Sequence, residues 1–308
     1  MNIVFTLNPN QIGTFLEYYQ EELVPSLESH VLALIHGVGY TIHVYRSNKV
    51  LIQGEEAKQE ALYWQEFLGI PIDLKDSKAT TTPHPEVTHY SSESHFGSDE
   101  VGTGDFFGPV VVVCAHVSPT LSETLLKLGV KDSKKLTDDQ IKRMAEGIIH
   151  LVPHEVVILP NPKYNEMIAK GFNQNKIKAY LHNHAIRKTL RLVKQSTDPI
   201  IIDEFTPQTQ YFAYLADYPH VVKQITFVQK AESQYLAVAA ASILARYYFL
   251  EEMDKLSASI AIELPKGSGI VIDLIGKRIA LQYGLDVFSN IAKIHFKNME
   301  RIASTMKS

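Results

Sequence analysis

Two adjacent acidic residues followed by closely spaced glycines are the most unusual feature of the sequence. Asp99 and Glu100 precede a Gly-Thr-Gly triplet at residues 102–104, and an apolar run over residues 110–115 follows. Two neighbouring carboxylates at the end of a strand repel each other unless a cation neutralises them or one of them binds a proton. Glycines lack side chains, so the backbone beside them can approach a ligand closely. This combination is typical of phosphate chemistry.

Two other interpretations of the motif are a dinucleotide-binding loop and a plain glycine-rich turn with solvated acids. Gly102, Gly104 and Gly108 do not have the G-x-G-x-x-G spacing, and a strand rather than a helix follows them. The dinucleotide-binding loop is therefore excluded. The glycine-rich turn remains possible for this motif taken alone.

Two further acids lie at the ends of predicted elements. Asp203 follows the apolar residues 200–202, and Glu232 precedes an Ala-rich helical stretch. The functional crevice of an open α/β sheet lies at the carboxyl ends of its strands, so Asp203 is expected beside Asp99 if their strands are neighbours. Taken alone, an acid that ends a strand is typical of a turn, and an acid at a helix start complements the helix dipole.

The four carboxylates together would suit two hard divalent cations. Two such ions about 3.5–4 Å apart stabilise the attacking and leaving oxygens of an in-line phosphoryl displacement. The histidines and the one cysteine do not form a zinc site. Cys114 lies in the apolar run 110–115, which favours a buried thiol. His182 and His184 are two positions apart on a predicted helix and face different sides.

Charge is distributed unevenly along the chain, although its net value is only −4. Residues 1–85 contain ten acidic and five basic residues, and residues 127–194 contain fourteen basic and six acidic residues. A basic middle segment in an acidic chain fits a local phosphate-binding face, although a solvated helix surface would give the same pattern. Lys134, Lys176 and Lys266 are the predicted phosphate contacts.

The residues before position 85 are predicted to form a separate N-terminal α+β unit. Its predicted strands cover residues 1–7, 32–34, 39–45 and 50–53, and its predicted helices cover residues 11–27 and 56–69. This order predicts an antiparallel sheet with helices on one face. The polar stretch 72–94 contains two prolines and little periodicity, which predicts a linker and places the domain boundary near residue 85.

Residues 95–308 are predicted to form an α/β domain with a mixed sheet flanked by helices. A first strand is expected to end near Asp99. The other predicted strands cover residues 109–117, 155–159, 199–203 and 221–229, and helices are predicted over residues 174–194, 207–216 and 235–256.

The composition predicts a cytoplasmic globular protein. Of 308 residues, 45% are hydrophobic and 21% are charged. The apolar runs are shorter than the roughly 20 residues that a membrane span needs, so no membrane association is expected. The first residues lack a basic stretch that leads into an apolar one, so no secretory signal is expected.

Several motifs of the sequence, taken together, resemble those of the ribonuclease HII/HIII family. Residues 98–110 resemble the opening active-site motif of that family, and residues 132–136 match its next shared motif. Further matches occur at residues 164–165, 173–178, 181–183, 203, 230–232 and 239–243. The matches run in the family's order across about residues 95–300, which makes them far more specific together than any one of them.

Within the family, the sequence resembles the HIII branch. Thr103 stands where the HII branch typically has Arg, and Glu232 stands where HII has Asp. The N-terminal unit resembles the TATA-binding-protein-like domain of HIII by its order of elements. One alternative is HII-like cleavage at single embedded ribonucleotides, which Thr103 disfavours. Another is a non-catalytic nucleic-acid-binding protein, for which at least one acid should be missing, yet all four are present.

The resemblance implies an RNase H-like fold and a monomeric endoribonuclease that cuts the RNA strand of RNA/DNA hybrids. It implies that Asp99, Glu100, Asp203 and Glu232 bind two Mg²⁺ or Mn²⁺ ions, and that the products carry 5′-phosphate and 3′-hydroxyl ends. The implied substrate contacts are Gly102, Thr103, Gly104, Ser133, Lys134, Tyr164, Asn175, Lys176 and Lys266. The N-terminal unit would strengthen binding of the hybrid, although it could instead bind a protein or orient the catalytic domain.

Overall fold

The computed structural model of the chain contains two β-sheets, each with helices packed against it. The described residues are 2–19, 22–24, 30–37, 39–54, 56–72, 90–91, 93–130, 136–194 and 196–306. Among them, each sheet has five strands. The first sheet lies within the N-terminal unit and the second within the following unit, as the sequence predicts.

The N-terminal unit is an antiparallel sheet with two helices on one face. Its strands are β1 (Asn2–Thr6), β2 (Leu23–Val24), β3 (Val31–Gly37), β4 (Tyr40–Tyr45) and β5 (Lys49–Gly54), and its helices are α1 (Pro9–Tyr18) and α2 (Ala57–Leu68). The strand order is β1-β5-β4-β3-β2. Ile3, Ile42 and Ile52 point from the sheet into a core with Phe15 of α1 and Trp64 of α2. This confirms the predicted architecture of the unit.

The prediction of a helix over residues 11–27 is wrong at its C-terminal end. Helix α1 begins at Pro9, after an Asn8 cap whose side chain accepts a hydrogen bond from Gln11. It ends at Tyr18, and Leu23 and Val24 instead pair with β3 as the short strand β2. Cross-strand pairing outweighs the helical spacing of these apolar residues, because strand preference depends on the neighbouring strand.

The second unit contains a mixed sheet and helices that cover it. Its strands are β6 (His95–Val101), β7 (Val110–Val117), β8 (His154–Leu159), β9 (Ile200–Asp203) and β10 (Thr226–Val228). Its helices are α3 (Pro119–Lys127), α4 (Asp138–Ile149), α5 (Asn161–Ala169), α6 (Gln174–Leu192), α7 (Gln208–Tyr214), α8 (Leu236–Ile260), α9 (Ile270–Tyr283), α10 (Phe288–Ile291) and α11 (Lys297–Thr305). None of the helices described is both long and apolar enough to cross a bilayer.

The order of strands in the second sheet is β10-β9-β6-β7-β8. Strands β6, β7 and β8 pair antiparallel, whereas β9 runs parallel to β6 and β10 runs parallel to β9. This confirms the predicted mixed sheet. The strand predicted over residues 221–229 is shorter than expected, because the backbone N–H of Val222 donates to the Asn183 side chain instead of to a strand.

Each face of the second sheet is covered by one long helix. Val111 and Val113 of β7 pack in a core with α8, while Val110 and Val112 pack in a second core with α6. Helix α8 lies unusually close to β6, because a Cβ atom on Gly97 would be 2.1 Å from the backbone nitrogen of Val238. The small residue therefore lets the helix lie directly over the strand that carries the adjacent acids.

The N-terminal unit contacts the second unit through α2. A Cβ atom on Gly269, which precedes α9, would lie 2.9 Å from the Glu60 Oε2 atom. The predicted boundary near residue 85 and most of the linker predicted over residues 72–94 lie outside the described residues. Ser91 already belongs to the second unit, since its N–H donates to the Gln234 carbonyl.

Candidate active site

Strand β6 directs its two adjacent acids to opposite faces of the sheet. Side chains alternate along a strand, so Asp99 shares a face with Gly97 and faces α8, whereas Glu100 shares a face with Ser98 and faces α6. Asp99 pairs with Val113 and Glu100 with Val112 across β7, and these two valines belong to different cores. The two acids therefore occupy different surroundings, although they are adjacent in sequence.

On the α8 side, Asp99 is held by hydrogen bonds. Ser242 of α8 donates to its carboxylate, and the backbone N–H of Glu100 donates to its Oδ1 atom at 2.8 Å. Asp203 lies on the neighbouring strand, because β6 and β9 pair in parallel with Ser98 beside Ile202. Asp99 and Asp203 therefore project from adjacent strands on the same face, as predicted from the strand ends.

On the α6 side, Glu100 is paired with two basic side chains. The Lys178 Nζ atom lies 3.0 Å from Glu100 Oε1, and the His182 Nε2 atom lies 2.9 Å from Oε2. The other ring nitrogen of His182 lies 2.7 Å from the Ser98 hydroxyl, which itself donates to the Val113 carbonyl. This chain of contacts fixes both the imidazole ring and the Glu100 carboxylate.

The pKa values of the two acids diverge because of these surroundings. Burial raises the pKa of Asp99, and the charges of Glu100 and Asp203 raise it further. Burial also favours the neutral form of Glu100, but the His182 hydrogen bond and the Lys178 ion pair outweigh it and lower the pKa of Glu100 to about 2. Glu100 is thus held ionised by its contacts with Lys178 and His182, whereas burial and neighbouring negative charge favour the neutral form of Asp99.

Glu232 lies in a 3-10 turn, Ala231–Ser233, next to Asp203. The backbone N–H of Ala231 donates to Asp203 Oδ1 at 2.9 Å. Lys230 enters the turn with a φ of +53°, a left-handed conformation that is uncommon for residues other than glycine. The Glu232 side chain is buried. The acid lies one turn before α8, so it precedes the Ala-rich helix as the sequence predicts.

An open pocket of about 350 Å³ unites most of these residues. It is lined by Glu56, Asp99, Glu100, Val101, Asp105, Asp203, Ser242, Arg246, Phe249 and Lys266. A larger pocket of about 810 Å³ lies near Ile200, at the opposite end of β9, and has Asp198 as its one acidic lining residue. The smaller pocket is the better candidate for phosphate chemistry, since its carboxylates and cations converge.

The donor set of this pocket fits a hard divalent cation. Asp99, Glu100 and Asp203 offer carboxylate oxygens, which Mg²⁺ and Mn²⁺ prefer. The buried charge of Asp99 needs compensation that a cation would supply. Among the residues described, no three acidic, histidine or cysteine side chains already surround one point at metal-ligand geometry. Hard divalent cations commonly take part of their coordination from a substrate phosphate in addition to one or two carboxylates.

The loop over residues 102–109 joins β6 to β7 at the edge of the pocket. Gly102 has a φ of +94°, and a Cβ atom there would be 2.2 Å from the Pro109 carbonyl oxygen. Glycine at this position is therefore required by the loop itself, and not only by the approach of a ligand. The Thr103 carbonyl accepts a hydrogen bond from Gln174 at the start of α6. The hydrogen bond from Gln174 fixes the loop to the start of α6.

The predicted phosphate contacts differ in their surroundings. Lys266 lines the pocket and pairs with Asp138 at 2.6 Å. Lys176 lies over the Phe172 ring, 4.4 Å from its centroid, and Asn175 precedes it on α6. Tyr164 is only 1% exposed. The other two predicted contacts, Ser133 and Lys134, lie outside the described residues.

Four side chains near the acids were not expected from the sequence. His182 and Lys178 pair with Glu100, while Asp105 lines the pocket and Lys293 lies beneath it. The spacing of His182 and His184 predicts that they face different sides, and the first is indeed buried while the second is exposed. The sequence does show that Lys178 and His182 are four positions apart on a predicted helix and so share one face, but it does not identify their partner.

The family model of ribonuclease HII matches residues 96–299, and a model described as a domain of unknown function (DUF3378) matches residues 2–68. The chain is 40% identical over 311 residues to ribonuclease HIII of Geobacillus sp. (strain WCH70), with 99% of each chain covered. It is 43% identical over 272 residues to ribonuclease HIII of Bacillus licheniformis, with 86% of this chain and 87% of the relative covered.

Solved structures agree with the sequence relatives. Bst-RNase HIII in complex with Mn²⁺ superposes with a TM-score of 0.69 at 38% identity, covering 100% of this chain and 99% of the other. Ribonuclease H2 from Pyrococcus horikoshii shares the fold at 23% identity, with a TM-score of 0.56, over 70% of this chain and 99% of the other. These matches confirm the resemblance drawn from the motifs: the chain belongs to the ribonuclease HIII family.

Proposed function

We propose that this protein is an endoribonuclease that hydrolyses the RNA strand of RNA/DNA hybrids. Membership of the ribonuclease HIII family supports the reaction class, since relatives of that name match almost the whole chain. The observation that carries the proposal is the parallel register of β6 and β9, which brings Asp99 and Asp203 side by side next to Glu100. Closely spaced carboxylates at strand ends suit metal-assisted phosphodiester hydrolysis.

The cofactor that we propose is Mg²⁺ or Mn²⁺, with two ions present during catalysis. Asp99, Glu100, Asp203 and Glu232 would hold them. Such ions, when bound, activate water and stabilise charge on the attacking and leaving oxygens. The crystal structure of the relative Bst-RNase HIII with Mn²⁺ supports the use of a divalent cation.

The chain's own side chains orient these ligands and the substrate. Lys178 and His182 keep Glu100 ionised and fixed, and Ser242 fixes Asp99. Arg246 and Lys266 line the same pocket, where their positive charges would attract a backbone phosphate. Water attacks the phosphorus in line with the 3′-oxygen, which leaves as a 3′-hydroxyl while the other product keeps the 5′-phosphate.

We propose that the loop after β6 recognises the RNA strand. Residues 102–104 follow the acids directly, and the backbone of such a loop can test the 2′-hydroxyl that separates RNA from DNA. The loop is anchored through the Thr103 carbonyl to Gln174. Asn175 and Lys176 follow Gln174 on α6, so we propose that they contact the same strand. Tyr164, Ser133 and Lys134 remain proposed contacts.

HII-like cleavage at a single embedded ribonucleotide is the second candidate activity. Cleavage of three labelled duplexes with Mg²⁺ separates the two: an RNA/DNA hybrid, a DNA duplex with one ribonucleotide, and plain DNA. We expect metal-dependent cleavage of the hybrid alone. Cleavage of the duplex with one ribonucleotide would favour HII-like specificity. If none of the three is cut, the protein is a non-catalytic nucleic-acid-binding protein.

We propose that the N-terminal unit strengthens binding of the hybrid. Residues 1–85 carry a net charge of −5, which by itself disfavours contact with a negatively charged duplex. An uncharged or locally basic face of the unit would recognise the shape of the duplex. Removal of residues 1–85 should raise KM for the hybrid more than it lowers kcat, in steady-state assays at fixed salt. An unchanged KM would instead indicate that the unit binds a protein or orients the catalytic domain.

A cytoplasmic monomer is the form in which we propose that the enzyme acts. The relatives with matching sequences are bacterial proteins such as that of Bacillus licheniformis. The proposed acids all lie on one chain, so the site needs no contribution from a second copy. Light scattering coupled to gel filtration should give the mass of one 34.7 kDa chain, and a mass twice as large would contradict the proposed monomer.

A further inference from the structure

Lys293 is a fully buried lysine that lies behind the loop between β6 and β7. It is 0% exposed, and buried lysines are rare unless their charge and N–H groups are paired. Well-packed apolar side chains usually replace buried ions without loss of stability. A lysine here therefore suggests a role that an apolar residue of similar size would not fill.

The Lys293 ammonium group holds the two ends of a short segment of the loop. Its Nζ atom donates to the Asp105 carbonyl at 2.8 Å and to the Gly108 carbonyl at 2.5 Å. The Gly108 carbonyl also accepts a hydrogen bond from the Asn161 side chain at 2.8 Å. The backbone N–H of Lys293 donates to the Phe106 carbonyl between them. Lys293 thus holds both ends of the segment 105–108 from behind the loop, and Asn161 adds a further hydrogen bond at Gly108.

The same segment is held from its other side by the residues that follow Lys266. The backbone N–H of Gly267 donates to the Asp105 carboxylate at 2.6 Å, and the N–H of Phe106 donates to the Gly267 carbonyl at 2.8 Å. Asp105 is therefore anchored through its carboxylate to Gly267 and through its carbonyl to Lys293. Its position sets residues 102–104, which directly precede it.

Lys293 also lies close to Tyr164, whose ring is buried behind the loop. Its Nζ atom is 5.8 Å from the centre of the Tyr164 ring, within the range of a cation–π interaction. The ring itself packs 5.5 Å from the ring of His295, two residues after Lys293. One side chain thus supports both the loop that is proposed to meet the RNA strand and the buried aromatic ring of Tyr164 beside it.

We propose that Lys293 is a positioning residue that sets the loop 102–108 and Tyr164 for correct alignment of the scissile ribonucleotide. This inference rests on the proposed hybrid cleavage. Lys293 does not reach the substrate, because it is fully buried. Its loss should therefore lower kcat, which depends on alignment, and leave KM nearly unchanged, because small misplacements at a reacting centre cost up to about 100-fold in rate.

The experiment compares four purified full-length variants: Lys293→Met, Asp105→Asn, the double variant with both changes, and Lys255→Met as a control at an exposed lysine. Methionine matches the length of lysine but donates no hydrogen bond. Asparagine at position 105 keeps the oxygen that accepts from Gly267. Each variant is tested for hybrid cleavage with Mg²⁺ and for its melting temperature without metal.

We expect Lys293→Met to lower kcat by about 10- to 100-fold with KM within about threefold of the starting protein. The double variant removes both buried charges, so its melting temperature should exceed that of Lys293→Met while its kcat remains low. Recovery of kcat in the double variant would overturn the proposal, because Lys293 would then only neutralise Asp105. If Lys293→Met does not fold, the double variant is compared with Asp105→Asn, and an equal kcat in these two variants would overturn the proposal.

The proposed function and this inference fail in different ways. Absence of hybrid cleavage by the unmodified protein and by Lys255→Met would contradict the proposed function. Normal cleavage by the unmodified protein, combined with a kcat within twofold of it in folded Lys293→Met, would contradict the inference alone. A rise in KM without a fall in kcat would also overturn it, since that pattern belongs to a residue that binds the substrate.

Discussion

The two faces of strand β6 shift the pKa values of two neighbouring carboxylates in opposite directions. On the α6 face, Lys178 and His182 compensate the charge of Glu100 and lower its pKa. On the α8 face, Asp99 has Asp203 beside it, and burial together with neighbouring negative charge raises its pKa. The comparison suggests a division of roles, in which Glu100 is ionised in advance by the protein and Asp99 depends on bound cations for its charge.

The largest effect is expected from the two acids on the α8 face of the sheet. Asp99→Asn or Asp203→Asn should reduce hybrid cleavage to background, because an amide removes the negative charge that would hold the ions. Binding of the hybrid, measured by fluorescence anisotropy, should survive. Asp217→Asn, a change at an exposed acid, is the control. Near-normal turnover in either active-site variant would contradict the metal-ligand assignment.

Glu232→Gln should be less severe than Asp99→Asn, because water can replace part of what a peripheral carboxylate contributes. We expect a loss of about 100- to 1000-fold in kcat, the range for removal of one preorganised electrostatic group. The matched control is Glu263→Gln, at an exposed position. Complete loss of activity would make Glu232 as central as Asp99 and remove its distinction from the other acids.

His182→Ala tests the α6 face. Residues that orient a metal ligand typically contribute about 10- to 100-fold to activity or metal affinity, so a loss of that size is expected here. His184→Ala is the matched control, since His184 lies on the same helix but is exposed. Mg²⁺ titration of activity should show weaker apparent metal affinity in His182→Ala only. Equal behaviour of the two variants would show that the hydrogen bond to Glu100 is dispensable.

The smallest effect is a pH dependence of stability without metal. Because the folded pKa of Asp99 is raised, the folded protein binds more protons than the unfolded chain, and stability falls as pH rises from about 4 to about 8. Glu100 has a lowered pKa, so its contribution is lost only below about pH 5. Melting temperatures in EDTA should therefore decrease between pH 5.5 and 8, and Mg²⁺ should raise them most at pH 8.

A second buried acid contributes to the same slope and supplies the control. Burial raises the pKa of Glu60 in the N-terminal unit to about 7. Asp99→Asn should remove only the part of the slope that Mg²⁺ reverses, whereas Glu60→Gln should reduce the part that Mg²⁺ does not affect. A Mg²⁺-sensitive slope that persists in Asp99→Asn would contradict the assignment of the raised pKa to Asp99.

The sequence predicts the acids of this comparison but not the side chains that distinguish them. Asp99 and Asp203 each follow an apolar stretch near the end of a predicted strand. Because functional side chains of an open α/β sheet lie at the carboxyl ends of its strands, the sequence predicts that the two acids lie side by side, as they do in the structure. Lys178 and His182 lie 78 and 82 positions from Glu100. Their pairing depends on how α6 crosses the sheet, which helical periodicity does not specify. A lysine is normally expected at the protein surface, so the burial of Lys293 follows only from the tertiary structure.

The local errors of prediction have the same origin. The apolar spacing around Leu23 and Val24 suits a helix, but their pairing with β3 decides the structure. Around Val222, a side-chain acceptor from Asn183 replaces a strand partner. Strands and helices with strong periodicity, such as α6 and β7, lie within two residues of their predicted limits. Helices α3, α4, α5, α9, α10 and α11 were not predicted, although α4 begins with a local capping box at Thr137. Elements that depend on distant partners are therefore only some of those that the sequence prediction missed.

The most direct test is single-turnover hydrolysis of an end-labelled RNA/DNA hybrid by the unmodified protein and by Asp99→Asn, each with Mg²⁺ and with EDTA. We predict cleavage of the RNA strand only by the unmodified protein with Mg²⁺, with 5′-phosphate and 3′-hydroxyl ends on the fragments. Cleavage that persists in EDTA or in Asp99→Asn would contradict metal-assisted hydrolysis at the carboxylates of β6 and β9.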